Sequence, residues 1–351
     1  MTPDVSAVVV NYRTATEAAE CVRSLRRGFE REGIPGEVVL VDCASGPGEV
    51  ERLSRAGADA LVALPENRGY SGGVNAGLGR ARGAFLVLSN ADVVFEAGAV
   101  TALRRAASAP TVGAVAPLAV WDAEGRLRLP SGFPAGFLRD LAQVSAGRFP
   151  RLDRSRFASF ARREAALWER GGDTDHLVGV VLAARRDVFD RAGRFDERYP
   201  FEYEETEWEG RVRKAGLRLV FVPEARVRHL WARSVAASDP AETAARRAAS
   251  ARRYRERRYG RFGRVLLERA QTASRPPGVR RLSEPILPAR EGASVALSPN
   301  PSLLPFAGAL LDREFRLPED LAASWPPGPV FLRVFETATG RPLETFVWSR
   351  P

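Results

Sequence analysis

Short apolar segments alternate with helix-like segments through residues 5–92, and this alternation is the feature that most constrains the fold. The apolar segments are β-branched and bounded by turn residues, which is typical of buried strands. They read VSAVVV, GEVVLVDCAS, ALVALP and AFLVLSNAD (5–10, 36–45, 60–65 and 84–92). Such an alternation predicts an α/β fold in which parallel strands form a sheet covered by helices on both faces.

Polar side chains follow three of these strands, at the point where each strand ends. They are Asn11, Tyr12 and Arg13 after the first strand, Asp42 at the end of the second, and Asn90 and Asp92 at the end of the fourth. In open α/β sheets, ligands bind beyond the carboxyl ends of the strands. We therefore expect these side chains to share one binding edge.

A glycine-rich turn, PENRGYSGGVNAGL (65–78), follows the third strand. Glycine allows the backbone to come close to a nucleotide, and polar neighbours can contact it. The candidates are Asn67, Arg68, Gly69, Gly73 and Asn75, with a plain helix start as the alternative. A dinucleotide-binding unit needs its glycines directly after the first strand, where this chain reads NYRTAT, so that class of site is excluded.

Six segments, taken in order, resemble family-2 glycosyltransferases, and most of all their bacterial rhamnosyltransferase-like branch. They read VSAVVVNYR, VVLVDCASG, PENRGYSGGVNAGL, FLVLSNADVVF, FDERYPFEYEETEWEGRVRKAG and VPEARVRHL, and together they cover about residues 5–235. The resemblance implies a GT-A fold, with a mixed sheet flanked by helices. It also implies a nucleotide-diphosphate-sugar donor, linked to dTDP, UDP or GDP, and a bound divalent cation, Mg²⁺ or Mn²⁺.

The resemblance assigns roles to the polar residues at the strand ends. Asp42 would accept hydrogen bonds from the base or ribose, where a turn-forming aspartate is the alternative. Asn90 and Asp92 stand at the family's Asp-x-Asp position, and Asp92 would bind the cation, which neutralises the charge of the leaving diphosphate. His229 would lie near the metal or the diphosphate, although a lone histidine is more often structural.

The acidic segment EYEETEWEG (202–210) holds the candidate base. Inverting transfer needs a carboxylate that takes the proton of the attacking hydroxyl. The family carries Glu-Asp here, and the resemblance places that pair on Glu204 and Glu205, with Glu205 as the base and Glu204 or Glu207 as substitutes. The alternative is that these acids complement the helix dipole, yet five glutamates exceed what capping requires.

Arginine dominates the net charge of +10, since Lys214 is the only lysine. The segment 242–270 predicts a long basic helix, broken or kinked near Gly260 and Gly263. Such a helix would attract an anionic membrane or the pyrophosphate of a lipid carrier. The alternative is that its arginines form a solvent-exposed face without a partner. Because the chain has no long apolar run and no signal-like start, we expect a cytoplasmic protein, with peripheral contact at the inner face of the membrane as an option.

The composition also predicts a domain organisation. The expected parts are a GT-A domain (1–235), a basic helical extension (236–273), a Pro/Arg linker (274–290) and a small β-rich module (291–351). In that module the aromatic residues form either a sugar-binding face or a core; they are Trp325, Phe331, Phe335 and Trp348. The sequence leaves open whether the protein forms a homodimer.

These observations favour an inverting glycosyltransferase. It would move a hexose, or a deoxyhexose such as rhamnose, to a saccharide or lipid-linked glycan acceptor by metal-assisted single displacement. One alternative is an inactive sugar-nucleotide-binding protein, because Glu205 replaces the family's Asp. A basic nucleic-acid-binding protein is a weaker alternative, since no recognised binding module accompanies the arginines, and no nucleic acid is expected as a partner.

Overall fold

The chain forms two compact units, described here from a computed structural model. The first unit comprises Met1–Ala119 and Gly171–Arg258, and the second comprises Val120–Arg170 and Tyr259–Pro351. The structure describes residues 3–132, 136–144, 150–230, 239–270, 279–299, 303–304, 306–324 and 328–349.

The first unit is built around a mixed sheet. Its strands are β1 (Val5–Asn11), β2 (Gly36–Asp42), β3 (Ala60–Ala63), β4 (Phe85–Asn90), β5 (Val93–Phe95), β6 (Val112–Val120), β7 (Gly172–Thr174), β8 (Val181–Arg185) and β9 (Arg218–His229). Its helices are α1 (Ala15–Glu32), α2 (Pro47–Ser54), α3 (Gly69–Leu78), α4 (Ala99–Ala106), α7 (Arg186–Ala192) and α8 (Glu204–Lys214). The four predicted strands and the helices between them are thus present.

The strand order is β3-β2-β1-β4-β8-β6-β9-β5, and β7 pairs with β9. The first four strands are parallel, as their alternation with helices predicts. β8 then runs antiparallel to β4, and β5 antiparallel to β9. The predicted α/β class with a mixed, helix-flanked sheet is therefore confirmed.

The helices α1 and α3 cover opposite faces of β1. A Cβ at Gly77 of α3 would lie 2.2 Å from Val8, so this helix packs on the face that carries Val8. On α1, Cys21 lies 4.0 Å from Ser89, which pairs in register with Val9. Because successive strand residues point to opposite faces, the two helices sandwich the strand.

The second unit contains a five-stranded sheet in the order β10-β16-β15-β12-β13 and a two-stranded sheet of β11 and β14. Its strands are β10 (Arg280–Arg281), β11 (Ile286–Leu287), β12 (Ala293–Ser298), β13 (Ala307–Leu310), β14 (Phe315–Arg316), β15 (Pro329–Glu336) and β16 (Pro342–Ser349). Its helices are α5 (Phe137–Val144), α6 (Pro150–Arg170) and α10 (Glu319–Ser324). The β-rich C-terminal part was predicted from residue 291 onward.

An aromatic core joins α6 to these strands. The Phe157 ring lies 5.3 Å from that of Phe306 and 5.5 Å from that of Phe335, and Trp168 lies 6.3 Å from Phe306. Phe335 and Trp348 are buried, which favours the core interpretation of the C-terminal aromatic residues. Trp325 lies outside the described residues.

This core makes the compact units differ from the predicted domains. The predicted domain 1–235 includes residues 120–170, but these belong to the second unit because the aromatic side chains of α6 pack on its strands. The predicted linker 274–290 likewise contains the paired strands β10 and β11 in its described part. The β-rich module therefore includes an α-helical segment from the middle of the chain.

The predicted basic helix is α9 (Pro240–Ala270), with residues in both units. Its interruption at Gly260 is confirmed, since this residue has φ 71° and ψ 176°. Within the described residues, no helix combines the length and apolar character needed to cross a bilayer.

Candidate active site

The register of the first unit brings the predicted strand-end residues to one edge of the sheet. Asn11 pairs with Asp42 across β1 and β2, and Val10 pairs with Asn90 across β1 and β4. Asp92 lies just beyond Asn90, before β5 begins. The polar residues therefore meet because three parallel strands end at the same level.

Asp42 and Asn11 form a fully buried pair. The Asn11 side-chain amide donates a hydrogen bond to Asp42 Oδ1 at 2.8 Å, and the backbone N–H of Ser45 donates to Oδ2 at 2.9 Å. Each carboxylate oxygen has a second acceptor position, so Asp42 retains acceptor capacity. The next residues differ in exposure, since Tyr12 is half-buried and Arg13 is exposed, with its guanidinium 4.9 Å from the Tyr12 ring centre.

The glycine-rich turn is held by the loop that precedes α8. Asn75 donates to the Phe195 carbonyl and to Glu197 Oε1, both at 2.9 Å, and it accepts a hydrogen bond from the Phe195 N–H at 3.1 Å. Arg68 forms an ion pair with Glu197. The side chains predicted to contact a nucleotide are thus engaged with this loop.

Two of the glycines in this turn are required by close packing. Gly69 has φ +69°, and a Cβ there would lie 2.4 Å from the carbonyl oxygen of Pro200; its N–H donates to Asn67 Oδ1 at 2.9 Å. A Cβ at Gly73 would lie 2.6 Å from Val10 and 3.0 Å from the Cys43 sulfur. Gly73 therefore lets α3 approach the sheet.

Asp92 and His229 form a second buried pair at the same edge. His229 Nε2 lies 3.3 Å from Asp92 Oδ1, and β5 pairs Val93 with His229. The other ring nitrogen, Nδ1, is buried and has no hydrogen-bond partner among the described residues. Asp92 Oδ1 lies beside Nε2 and not beside Nδ1, and carboxylate oxygen and imidazole nitrogen are both ligand types that divalent cations accept.

The protein supplies only part of a coordination shell at this pair. In the described part of the chain, no three His, Cys, Asp or Glu side chains cluster as metal ligands. Mg²⁺ usually binds through one or two carboxylates together with substrate phosphates and water. Asp92 and His229 therefore fit a cation that binds together with a diphosphate.

The carboxyl groups of Glu204 and Glu205 are buried at the start of α8. Glu204 Oε2 and Glu205 Oε2 have no hydrogen-bond partner among the described residues, and the same holds for the Tyr70 hydroxyl. A Cβ at Gly179 would lie 3.2 Å from the carboxyl carbon of Glu205, and the carbonyl of the next residue, Val180, accepts from the Asn90 N–H at 3.1 Å. This contact series places Glu205 beside the strand end that carries Asn90.

The pKa values of both carboxyl groups are raised. Burial, followed by the charge of Glu205, raises the pKa of Glu204 well above its ordinary value. Burial raises the pKa of Glu205 to about 7, and a nearby His176 partly opposes this rise. A carboxyl with a pKa near 7 can both accept and release a proton at neutral pH.

His176 and Glu209 form a buried pair that sequence reasoning did not assign to the site. His176 Nδ1 bonds to Glu209, and Glu209 Oε1 accepts a hydrogen bond from the Leu177 N–H at 3.1 Å. Burial lowers the pKa of His176, but the charge of Glu209 and its hydrogen bond outweigh this, so the pKa lies above the ordinary value. The excess of glutamates in 202–210 was the available signal.

Glu207 differs from its neighbours because arginines neutralise it. Its carboxylate lies 2.9 Å from Arg211 and 3.3 Å from Arg257. Because two arginines already occupy this carboxylate, the geometry favours Glu204 and Glu205, whose Oε2 atoms have no partner among the described residues, as proton acceptors.

Comparisons with known proteins identify the family of the chain. Residues 6–167 match the family described as glycosyl transferase family 2. The N-acetylglucosaminyl-diphospho-decaprenol L-rhamnosyltransferase of Mycobacterium tuberculosis is 30% identical over 254 residues, which cover 69% of this chain and 80% of that protein. The succinoglycan biosynthesis protein ExoO of Rhizobium meliloti is 33% identical over 56% of this chain and 51% of its own length.

Two solved structures resemble the chain at low identity. The mannosyltransferase PcManGT of Pyrobaculum calidifontis, in complex with GDP-Man and Mn²⁺, has a TM-score of 0.46 and 18% identity, over 77% of this chain and 74% of its own. GalNAc-T7 with UDP, GalNAc and Mn²⁺ has a TM-score of 0.49 and 16% identity, over 78% of this chain and 55% of its own. On the family match and the rhamnosyltransferase identity together, the chain belongs to glycosyl transferase family 2 and is a nucleotide-sugar-dependent glycosyltransferase.

Proposed function

We propose that the chain transfers a hexose, or a deoxyhexose such as rhamnose, from a nucleotide-diphosphate donor to a saccharide or lipid-linked glycan, with inversion at the anomeric carbon. The identity with an L-rhamnosyltransferase supports the sugar class. The observation that carries the chemistry is the buried carboxyl of Glu205, with its pKa of about 7, beside the strand end that holds Asn90.

Glu205 acts as the base in this proposal. An acceptor hydroxyl attacks the anomeric carbon while the bond from that carbon to the donor diphosphate breaks. Glu205 accepts the hydroxyl proton, a role that contributes roughly 10²–10⁴ in rate. Glu204, whose carboxyl is also buried and has a pKa well above its ordinary value, is the substitute candidate.

The donor would bind along the edge formed by the strand ends. Asp42 would accept a hydrogen bond from the base or ribose, and Asn11 would donate one to it. Tyr12, Arg13 and Asn90 would lie nearby. We infer that Asn67, Arg68, Gly69, Gly73 and Asn75 act mainly by holding the turn against its neighbouring loop. That loop leads into α8, so the same loop holds the glycine-rich turn and positions Glu205.

Asp92 and His229 would hold a divalent cation, Mg²⁺ or Mn²⁺, together with the donor diphosphate. When bound, the cation neutralises negative charge on the leaving group. The other residues of the site would orient the sugar, and Glu205 would accept the proton. The buried side chains of Asp92 and His229, 3.3 Å apart beside the strand end that carries Asn90, support this assignment.

The helix α9 is our candidate for peripheral membrane contact. In the part of this helix that belongs to the second unit, Arg261 and Arg269 are exposed, and Phe262 is 83% exposed, an unusual position for a large apolar side chain. Arginines near an anionic bilayer contribute about 1 kcal/mol each, and an aromatic ring can enter the interface. Replacement of Phe262 by Asp should reduce sedimentation with phosphatidylglycerol vesicles, and unchanged sedimentation would exclude this contact.

Donor screening tests the proposed function. UDP-, dTDP- and GDP-sugars are compared by thermal shift with and without Mn²⁺; a donor at about 100 times its dissociation constant adds roughly 2.7 kcal/mol of stability. The stabilising donor is then incubated with saccharide and lipid-linked acceptors, and the anomeric configuration of the product is read by NMR. Inverted product supports the proposal, whereas retained configuration or no donor binding contradicts it.

A further inference from the structure

A cavity in the first unit is lined by arginines outside the site described above. Its volume is about 510 Å³, and we call it the arginine cavity. The lining residues are Arg198, Ala249, Arg252, Arg253, Glu256 and Arg257. All but Arg198 lie on α9, and Arg198 lies on the loop before α8.

Two of the four guanidinium groups are neutralised by acids. Arg198 lies 2.7 Å from Asp196, and Arg257 lies 3.4 Å from Asp196 and 3.3 Å from Glu207. Within the described residues, Arg252 and Arg253 form no ion pair, and Arg253 Nε is buried without a hydrogen-bond partner. Glu256 is the single acid in the lining, so the cavity carries uncompensated positive charge.

A buried hydroxyl adds a neutral donor to this region. Tyr199 is fully buried, and its hydroxyl has no hydrogen-bond partner among the described residues. The Arg253 guanidinium lies 5.8 Å from the Tyr199 ring centre. An unpartnered hydroxyl and an unpartnered guanidinium nitrogen together are costly unless a ligand or water satisfies them.

The cavity is connected to the candidate base through a short segment of chain. The Phe201 N–H donates to Ser250 of α9 at 3.2 Å, and the Tyr203 ring lies 5.0 Å from that of Tyr254. Tyr203 directly precedes Glu204 and Glu205. The arginine cavity therefore adjoins the segment that begins the catalytic helix.

We propose that the arginine cavity binds the diphosphate of a lipid-carrier acceptor, an inference that rests on the proposed function. The acceptor named for the mycobacterial relative joins its sugar to lipid through a diphosphate. Guanidinium groups bind phosphate oxygens in a two-pronged geometry, and charge-assisted hydrogen bonds of this kind are strong. The donor diphosphate is already assigned to Asp92 and His229, so a second anion site suits the other substrate.

Direct binding of inorganic diphosphate tests this assignment in the full chain without donor. Calorimetry should show binding by the wild type and at least tenfold weaker binding by Arg252→Gln and Arg253→Gln. Arg55→Gln is the matched control, because the Arg55 side chain, directly after α2, is 74% exposed and lies outside the cavity lining. Equal affinity in all four proteins would overturn the proposal.

Acceptor kinetics distinguish the possible sources of the anion. With N-acetylglucosamine on a short-chain diphospho-prenol, both cavity variants should raise the acceptor KM about tenfold and leave the donor KM unchanged. With octyl N-acetylglucosaminide, which lacks a diphosphate, they should match the wild type. An unchanged donor KM also shows that the variants are folded.

The remaining outcomes are equally decisive. A raised donor KM would make the donor the occupant, and loss of binding only to phosphatidylglycerol vesicles would make it a lipid headgroup; either result overturns the proposal. Absence of transfer to any acceptor would count against the proposed function instead. The calorimetric comparison needs no turnover and still decides whether the cavity binds diphosphate.

Discussion

The Glu205 carboxyl lies against Gly179, which has no side chain. The resemblance places an aspartate at this position, and glutamate is longer by one methylene. A Cβ on residue 179 would approach the carboxyl carbon to 3.2 Å, so glycine there leaves room for the longer acid. The departure from the family pattern is thus accompanied by space that accommodates it.

Replacement of Glu205 by Gln should reduce kcat by about 10²–10⁴, because the amide cannot accept the hydroxyl proton. Donor affinity should stay unchanged, since the two side chains have the same shape. Donor titration and steady-state turnover measure the two effects. Glu204→Gln is the matched comparison, and a larger loss in that variant would transfer the role of base to Glu204.

The transfer rate should depend on pH through Glu205. Its pKa of about 7 means that the proton-accepting form increases as pH rises, so kcat/KM should rise with a midpoint near 7. The charged groups that act on it are His176, Glu209 and Glu202. A midpoint near 4.5 would show that burial does not control this carboxyl.

His176 should set the position of that midpoint. Its positive charge lowers the pKa of Glu205, so removal of His176 leaves burial and the charge of Glu209, which both raise this pKa, unopposed by that charge. The His176→Gln variant should therefore move the midpoint upward, by about one unit. A pH–rate profile measures this directly, and a variant that loses rate at every pH without a shift would assign His176 a purely structural role.

At the scale of elements, the close approach of α3 to β1 supports the sheet edge that carries Asn11, Asp42 and Asn90. A Cβ at Gly77 would lie 2.2 Å from Val8 and 3.1 Å from Val41, in a fully buried layer. The helix can lie this near the sheet only because glycines face it. The turn that begins α3 is positioned by the same contact.

Gly77→Ala should lower the free energy of unfolding by about 1–3 kcal/mol, since the added methyl overpacks the layer. This loss is net of the roughly 1 kcal/mol that alanine gains over glycine in a helix, because a methyl 2.2 Å from Val8 costs more than that gain. Urea unfolding measures the difference. Gly48→Ala is the control, because a Cβ there meets nothing within 4 Å and should be neutral or mildly stabilising; equal stability of the two variants would contradict the packing argument.

At the scale of the whole molecule, the second unit combines two distant stretches of chain. Residues 120–170 and 259–351 cluster together, and their shared core contains Phe157, Phe306 and Phe335. A core whose halves come from separate segments folds only when both are present. The β-rich strands therefore share their core with an α-helical segment from the middle of the chain.

A chain that ends at Arg290 should expose the aromatic face of α6 and lose cooperative folding of the second unit. Limited proteolysis should then cut within 150–170, where the full chain is protected. Phe306→Ala in the full chain is the milder companion and should cost about 3–5 kcal/mol. Full solubility and protection in the truncated chain would show instead that the module is separable, as composition alone predicts.

Local patterns in the sequence were sufficient to predict much of the first unit. Alternation of apolar strands with helices, and the polar residues at the strand ends, follow from side-chain periodicity, which depends on near neighbours. The meeting of Asn11, Asp42 and Asn90 at one edge of the sheet could be predicted because parallel strands end at the same level. The acidic residues of 202–210 could also be predicted as candidates, because five glutamates at the start of a helix are more than capping requires.

Only the tertiary structure decided which distant groups meet. His176 bonds to Glu209, 33 residues away, and Asn75 bonds to Phe195, 120 residues away. The aromatic core of the second unit and the arginine cavity arise in the same way. Such contacts depend on how helices and strands pack against each other. That packing produces no periodicity or spacing in the sequence, so the contacts could not be predicted from it.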